Sequence, residues 1–210
     1  MGKQSEIVRE SEGNNWHKRN RGKSRVDDPV LREIFSNDRI KPKNILEVAC
    51  GNGWRLDELH TRYGPESCKG CDLSWDAIEE GRRRYRELGL RVGSADVLGY
   101  GPGSFDLVVL GFFLYLVDRE DLFRIVSEVD RVLEDKGVLV IHDFMPEEPH
   151  TKDYAHDSRI TTYKMPYHNL WLANPAYLLE QFVIFGKGEG REGVFTLRKD
   201  LTRGWPRRES

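Results

Sequence analysis

Ile45-Leu46-Glu47-Val48-Ala49-Cys50-Gly51-Asn52-Gly53 runs from apolar residues into a glycine turn. Ile45, Leu46, Val48 and Ala49 are near-continuous rather than alternating, the pattern of a strand buried on both faces of a parallel sheet. Gly51 and Gly53 can take positive φ and leave bare backbone against a ligand. Open α/β sheets bind ligands at the carboxyl ends of their strands, beside this first turn. An acid about 20 residues further on takes ribose hydroxyls in such sites, and Asp72 stands there.

The flanking sequence repeats this unit. Upstream, Asp28-Pro29 is a helix start with an N-cap aspartate and proline at the first helical position. Downstream, Trp54 to Tyr63 reads as a helix and Ser67 to Leu73 as a second strand. Ser74 caps a helix that runs to Leu88 and stops at Gly89, and Arg91 to Ala95 is a weak third strand. Phe105 to Gly111 is a strong fourth strand. Asp118 and Asp121 resemble a capping box opening a helix to about Leu133, with Leu122, Ile125, Val126 and Val129 on one face. Gly137 to Phe144 is a fifth strand. This alternation of strands with helices means a parallel sheet built from right-handed crossovers. Asn174-Pro175 begins a short helix. Gln181 to Phe185 and Gly193 to Arg198 read as a two-strand ribbon around the turn Gly186 to Gly190.

Two features choose among ribose ligands. A dinucleotide fingerprint would put its third glycine at Leu56, so Leu56 argues against NAD. Glu47 would face a pyrophosphate there, whereas a carboxylate suits a ligand with an ammonium group. The ordered set Glu47-x-x-x-Gly51-x-Gly53, Asp72, Ser94-Ala95-Asp96 and Phe105-Asp106-Leu107-Val108 resembles the motifs of class I S-adenosylmethionine (SAM)-dependent methyltransferases over about residues 40–145. The resemblance implies an α/β, Rossmann-like methyltransferase fold: a mostly parallel seven-stranded sheet with a C-terminal antiparallel β-ribbon and helices on both faces. It implies SAM as cofactor and S-adenosylhomocysteine as product. By the same match, Glu47, Gly51 and Gly53 hold the methionine part. Asp72 takes the ribose, and Leu73 lies beside the adenine. Asp96 meets the adenine amine between Ala95 and Val97, and Leu110 and Gly111 wall the sulfonium. Ala49 departs from the pattern, standing where the family carries its first glycine.

Gly13-Asn14-Asn15-Trp16-His17-Lys18-Arg19-Asn20 resembles the leader of small methyltransferases associated with nonulosonic (pseudaminic-type) sugar and surface-polysaccharide biosynthesis. So do Asp143-Phe144-x-Pro146, Pro149, Tyr154-x-His156, Thr162-Tyr163-Lys164 and Tyr167. That likeness implies a sugar or nucleotide-sugar hydroxyl as acceptor, with Trp16, Arg19, Asn20, Tyr154, Tyr163 and Lys164 at its site. Residues 145–170 lack a helical or strand period and are rich in histidine and tyrosine, so they are expected to form an acceptor lid. A hydroxyl is a poor nucleophile at neutral pH and calls for a general base. His142, Asp143, His150 and His156 are the candidates, and alternation along the strand sends His142 and Asp143 to opposite faces.

The organisation expected is a polar basic arm over 1–27, a methyltransferase domain over 28–200 and a solvated tail over 201–210. Over residues 1–26, seven basic residues against three acidic ones charge the arm positively, while the whole chain of 210 residues carries a net charge of −2. That balance weighs against nucleic acid and anionic lipid as partners. Three cysteines and the absence of an apolar leader point to reduced thiols and a cytoplasmic location. Cys68-x-x-Cys71 runs into a strand without a partner pair, so no metal is expected. Arg82-Arg83-Arg84 pairs with Glu79 and Glu80 at helical spacing and reads as a solvated face. Two other readings stay open on sequence: an RNA methyltransferase using the basic arm, and a SAM-binding protein without activity.

Overall fold

The computed structural model describes residues 2–22 and 27–204. Residues 23–26 of the expected arm and 205–210 of the expected tail lie outside the described residues.

Seven strands form one sheet: β1 (Asn44–Val48), β2 (Ser67–Asp72), β3 (Gly89–Val92), β4 (Phe105–Gly111), β5 (Leu133–Phe144), β8 (Tyr177–Phe185) and β9 (Glu192–Lys199). Their spatial order is β3-β2-β1-β4-β5-β9-β8. The first five are parallel, and β9 runs antiparallel to both β5 and β8. This is the mostly parallel sheet with an antiparallel C-terminal ribbon read from the sequence. The order reverses between β1 and β4, so their carboxyl ends open a crevice there.

Alternation along the central strands builds a core on each face. Ile45, Leu107, Val109, Val138 and Val140 pack toward α3 (Pro29–Phe35), α4 (Trp54–Tyr63) and α5 (Trp75–Arg84). Leu46, Val108, Leu110, Leu139 and Ile141 pack toward α6 (Arg119–Val132). Asp28 caps α3, accepting from the Leu31 N–H at 2.9 Å, and Ser74 caps α5 through Ala77 at 3.1 Å. Cys68 and Cys71 join opposite cores, so they do not face one site. Both are free, and burial pushes both thiols up to about 12.

Several boundaries differ from the sequence reading. α5 ends at Arg84, and Gly89 opens β3 instead of closing the helix. The short helix is α7 (Asn169–Leu172), not one beginning at Asn174-Pro175. The Asn174 side chain instead closes a turn, accepting from Ala176 N–H at 3.0 Å. The 145–170 segment holds a hairpin, β6 (His150–Asp153) with β7 (Thr161–Lys164), in place of an irregular loop.

The largest difference is at the start. Residues 3–20 are helical: α1 (Lys3–Ile7), a π-helical turn (Val8–Glu12) and α2 (Gly13–Asn20). The expected capping box of α6 serves this helix instead. Asp118 accepts from the Gln4 and Ser5 N–H groups at 2.8 and 3.4 Å, and Asp121 accepts from Gly2 N–H. Acid carboxylates thus meet the unpaired donors of a helix start. Gln4 bonds Leu116 and Thr161, and His17 reaches Glu80 on α5 at 3.1 Å. The helix therefore bridges from α6 to α5 over the strand ends.

Candidate active site

Under that bridge lies an open cleft at the carboxyl ends of the strands. Its floor is Val48 and Ala49 at the end of β1, Asp72 and Leu73 at the end of β2, Gly93 to Ala95 after β3, and Gly111 at the end of β4. Phe112, Phe113, Tyr115, Leu116, Val117 and Ile125 form one wall. Ser5, Val8, Glu12, Gly13 and Trp16 form the roof, at i, i+3, i+7, i+8 and i+11 of the bridging helix.

The glycine turn is held by Asp72. Its Oδ2 accepts from the Gly51 N–H and its Oδ1 from the Ser74 N–H, both at 2.8 Å. Burial raises the Asp72 carboxyl, opposed by these backbone donors. Ala49 and Gly51 both sit at φ +57°, and Gly53 at +79°. The turn thus places an alanine in the left-handed region at the position where a glycine was the expected residue.

Glu47 is fully buried and does not line the cleft. The Arg55 guanidinium on α4 donates to it through Nη1, and to Asp28 through Nε and Nη2 at 3.1 and 3.0 Å. Burial raises the Glu47 carboxyl and Arg55 pulls it back. Burial also opposes ionisation of Asp28, but Arg55 and the helix N–H hold it below the usual carboxylate range. This ion triad lies against Gly111: a side-chain carbon there would come within 2.9 Å of Arg55 Nη1 and 3.2 Å of Glu47 Oε1. Among the described residues, Glu47 Oε2 has no hydrogen-bond partner.

Of the cofactor residues expected from sequence, Ala49, Asp72, Leu73, Ala95 and Gly111 line the cleft. Gly51 and Gly53 shape its turn from behind. Leu110 is core, Val97 is 68% exposed, and Asp96 accepts from Ser94 Oγ just outside the lining. Of the expected acceptor residues, only Trp16 lines the cleft. Asn20 bonds the Trp16 carbonyl on the exposed side at 2.8 Å. Arg19 and Tyr154 are joined to Glu12. Arg119 lies 4.2 Å over the Tyr163 ring, and Lys164 donates to the Glu189 carbonyl at 2.7 Å.

None of the four general-base candidates lines the cleft. His142 Nε2 meets Glu192 at 2.9 Å, with the ring packed on Phe112. Asp143 points to the other face, where Leu114 and Phe144 N–H groups donate to it at 2.8 Å each. Burial pushes its carboxyl up to about 7 against those donors. His150 contacts the Glu148 carbonyl at 3.0 Å, and His156 stands edge-on to Tyr154. The sequence reading missed Arg55, Glu12 and the aromatic wall Phe112, Phe113 and Tyr115. Arg55 was detectable as a charge one turn before Leu59 on the apolar face of α4.

Comparison with known proteins agrees with this architecture. Residues 45–137 match the family described as "Methyltransferase domain". A fatty-acid O-methyltransferase of Mycolicibacterium smegmatis is 34% identical over 109 residues, 51% of this chain and 39% of that protein. Norajmaline N-methyltransferase of Rauvolfia serpentina is 32% identical over 127 residues, 56% and 42% of the two chains. The chain thus spans less than half the length of these curated relatives. Among solved structures, a Burkholderia thailandensis 1,6-didemethyltoxoflavin N1-methyltransferase superposes with a TM-score of 0.73 at 13% identity, over 93% of this chain and 88% of that one. The N-methyltransferase NodS of Bradyrhizobium japonicum, in complex with S-adenosylhomocysteine, gives 0.66 at 16%, over 89% and 97%. Residues 45–137 thus match a methyltransferase domain family, and the sheet around them has the Rossmann-like fold of SAM-dependent methyltransferases of known structure.

Proposed function

We propose that this chain transfers a methyl group from SAM to a small-molecule acceptor. The observation that carries the reading is the cleft itself. Ala49, Asp72, Leu73, Ala95 and Gly111 converge at the strand-order reversal, in the positions that the family motifs assign to the cofactor. The residues fit SAM. Behind the bare backbone of Gly111 lies the buried Glu47 carboxylate, its Oε1 3.2 Å from where a side-chain carbon would stand and its Oε2 without a hydrogen-bond partner among the described residues, which suits a ligand ammonium at this end of the cleft. Asp72 stands at the cleft, and bare backbone at Gly111 gives close approach. SAM, when bound, supplies an electrophilic methyl on a sulfonium. The chain's part is to hold that methyl in line with the nucleophile and to exclude water. The bridging helix and the aromatic wall serve this.

For the acceptor, the walls Phe112, Phe113, Leu116 and Val117 favour a molecule with an apolar or planar portion. A sugar or nucleotide-sugar hydroxyl draws its support from Trp16, 40% exposed at the roof, since an indole face stacks on sugar rings. Incubation with methyl-labelled SAM and a panel of nucleotide-sugars, fatty acids, quinols, planar amines and RNA tests both levels. Labelled product from any small molecule is expected. Label on a nucleotide-sugar alone identifies the sugar class. Label on RNA alone overturns the small-molecule reading. Binding of S-adenosylhomocysteine with no labelled product from any arm favours a SAM-binding protein without activity.

A further inference from the structure

Glu12 is the buried acid of the roof. It closes the π-helical turn and lines the cleft while only 2% exposed. A π turn inside a helix is a recurrent mark of functional positions, because it re-aims one side chain. Here Val8 and Glu12, its first and last residues, line the cleft together with Ser5 and Trp16. Two groups outside the cleft fix the carboxylate. The Tyr154 hydroxyl donates to Oε1 at 2.9 Å, and the Arg19 guanidinium donates to the same oxygen through Nη2. Oε2 receives one long contact, from Arg19 Nη1 at 3.4 Å. One oxygen is thus used for positioning and the other is lightly held. The bond from Tyr154, which follows β6, ties Glu12 to the segment after β5, and Tyr115 lines the same cleft. His142, Asp143, His150 and His156 do not reach the lining, so the roof supplies the carboxylate that they do not.

Resting on the methyl-transfer reading, we propose that Glu12 is the group that receives the acceptor's proton, held in place by Tyr154 and Arg19, and that the acceptor attacks through an oxygen or nitrogen that carries a proton. In the step, the acceptor's lone pair forms the bond to the methyl carbon. The carbon–sulfur bond breaks with its electron pair staying on sulfur. The acceptor's O–H or N–H proton passes to the Glu12 carboxylate, which becomes a neutral acid and later returns the proton to solvent. Tyr154 and Arg19 are positioning residues: they act through Glu12 and not on the acceptor.

The placement is testable before any acceptor is known. Sinefungin is a SAM analogue with an ammonium-bearing carbon in place of the methylated sulfonium, so it presents N–H donors where the methyl would be. S-adenosylhomocysteine presents nothing there. Calorimetry on the full chain should find sinefungin bound at least about tenfold more tightly than S-adenosylhomocysteine, as a charge-assisted hydrogen bond implies. Glu12→Gln preserves volume and, through its amide oxygen, the bonds from Arg19 Nη2 and Tyr154, and should bring the two ligands within about threefold while leaving S-adenosylhomocysteine affinity within about threefold. Should that variant fail to melt cooperatively, Glu12→Asp retracts the carboxylate by one methylene and should lose most of the preference. No preference in the unaltered chain, or a preference unchanged in either folded variant, overturns the assignment. So does an equal loss for both ligands, which would make Glu12 a cofactor-holding residue. Failure of the unaltered chain to bind S-adenosylhomocysteine is a separate result: it removes the methyl-transfer reading and this assignment with it.

Discussion

Asp72→Ala separates two roles that a sequence motif merges. A ribose-binding acid alone should be dispensable for the empty protein. The structure gives Asp72 a second duty, because its two oxygens hold the Gly51 and Ser74 N–H groups at 2.8 Å. A hydrogen bond to a charged group contributes roughly 1.5–3 kcal/mol, less where water can replace it. Asp72 is half-buried at the cleft, so the two together are discounted to about 2–3 kcal/mol. For a chain of this size about 1 kcal/mol shifts Tm by roughly 2–4 °C. Asp72→Ala should therefore melt about 5–10 °C below the unaltered chain without any ligand. S-adenosylhomocysteine affinity should fall by a further 1–3 kcal/mol, roughly 5- to 150-fold. Thermal denaturation and calorimetry read the two effects separately. An unchanged Tm with weakened binding would refute the scaffolding role, and an unchanged affinity would refute the ribose role.

Other outcomes follow from the same geometry. Arg55→Met leaves Glu47 and Asp28 buried without their shared cation and should cost about 3–5 kcal/mol in denaturant unfolding at neutral pH; a cost under about 1 kcal/mol would mean that the triad is not coupled. Ala49→Gly relieves a left-handed alanine at φ +57°; strain of about 1–2 kcal/mol outweighs glycine's entropic cost of about 0.5–1 kcal/mol, so the variant should be more stable by up to about 1 kcal/mol, and a clear loss contradicts the strain. His168 stacks on Phe195 at 3.7 Å, and burial lowers it to about 4. Below its ordinary value of 6.5 the unfolded chain takes up a proton that the folded one refuses, so stability is lost as pH falls from about 6.5 toward 4. With allowance for partial solvation this is about 1 kcal/mol between pH 7 and 5, and His168→Leu should remove that much of the slope.

The segment from β1 to α4 was legible because each signal agreed. Continuous apolar residues, two glycines and an amphipathic helix leave one reading, and the bounds of α4 and β4 match it residue for residue. The roof was not legible. Its cleft-facing residues Ser5, Val8, Glu12 and Trp16 keep a helical spacing but are mostly polar, so no apolar stripe marks the helix. Its partners are also distant: Asp118 and Asp121 cap a helix more than a hundred residues away, while sequence assigns them to the helix they precede. The hairpin of β6 and β7 escaped because four-residue strands such as His150-Thr151-Lys152-Asp153 are polar on both faces. Tyr154 and Arg19 were picked out by resemblance, but their convergence on Glu12 is a tertiary fact.

The most direct test of the methyltransferase account is calorimetric titration of the unaltered chain with S-adenosylhomocysteine and, separately, with NAD. Ala49, Asp72, Leu73, Ala95 and Gly111 around one cleft, with Leu56 fully buried where a dinucleotide turn needs glycine, predict saturable one-to-one binding of S-adenosylhomocysteine and no heat from NAD. Saturable NAD binding with no response to S-adenosylhomocysteine would contradict it.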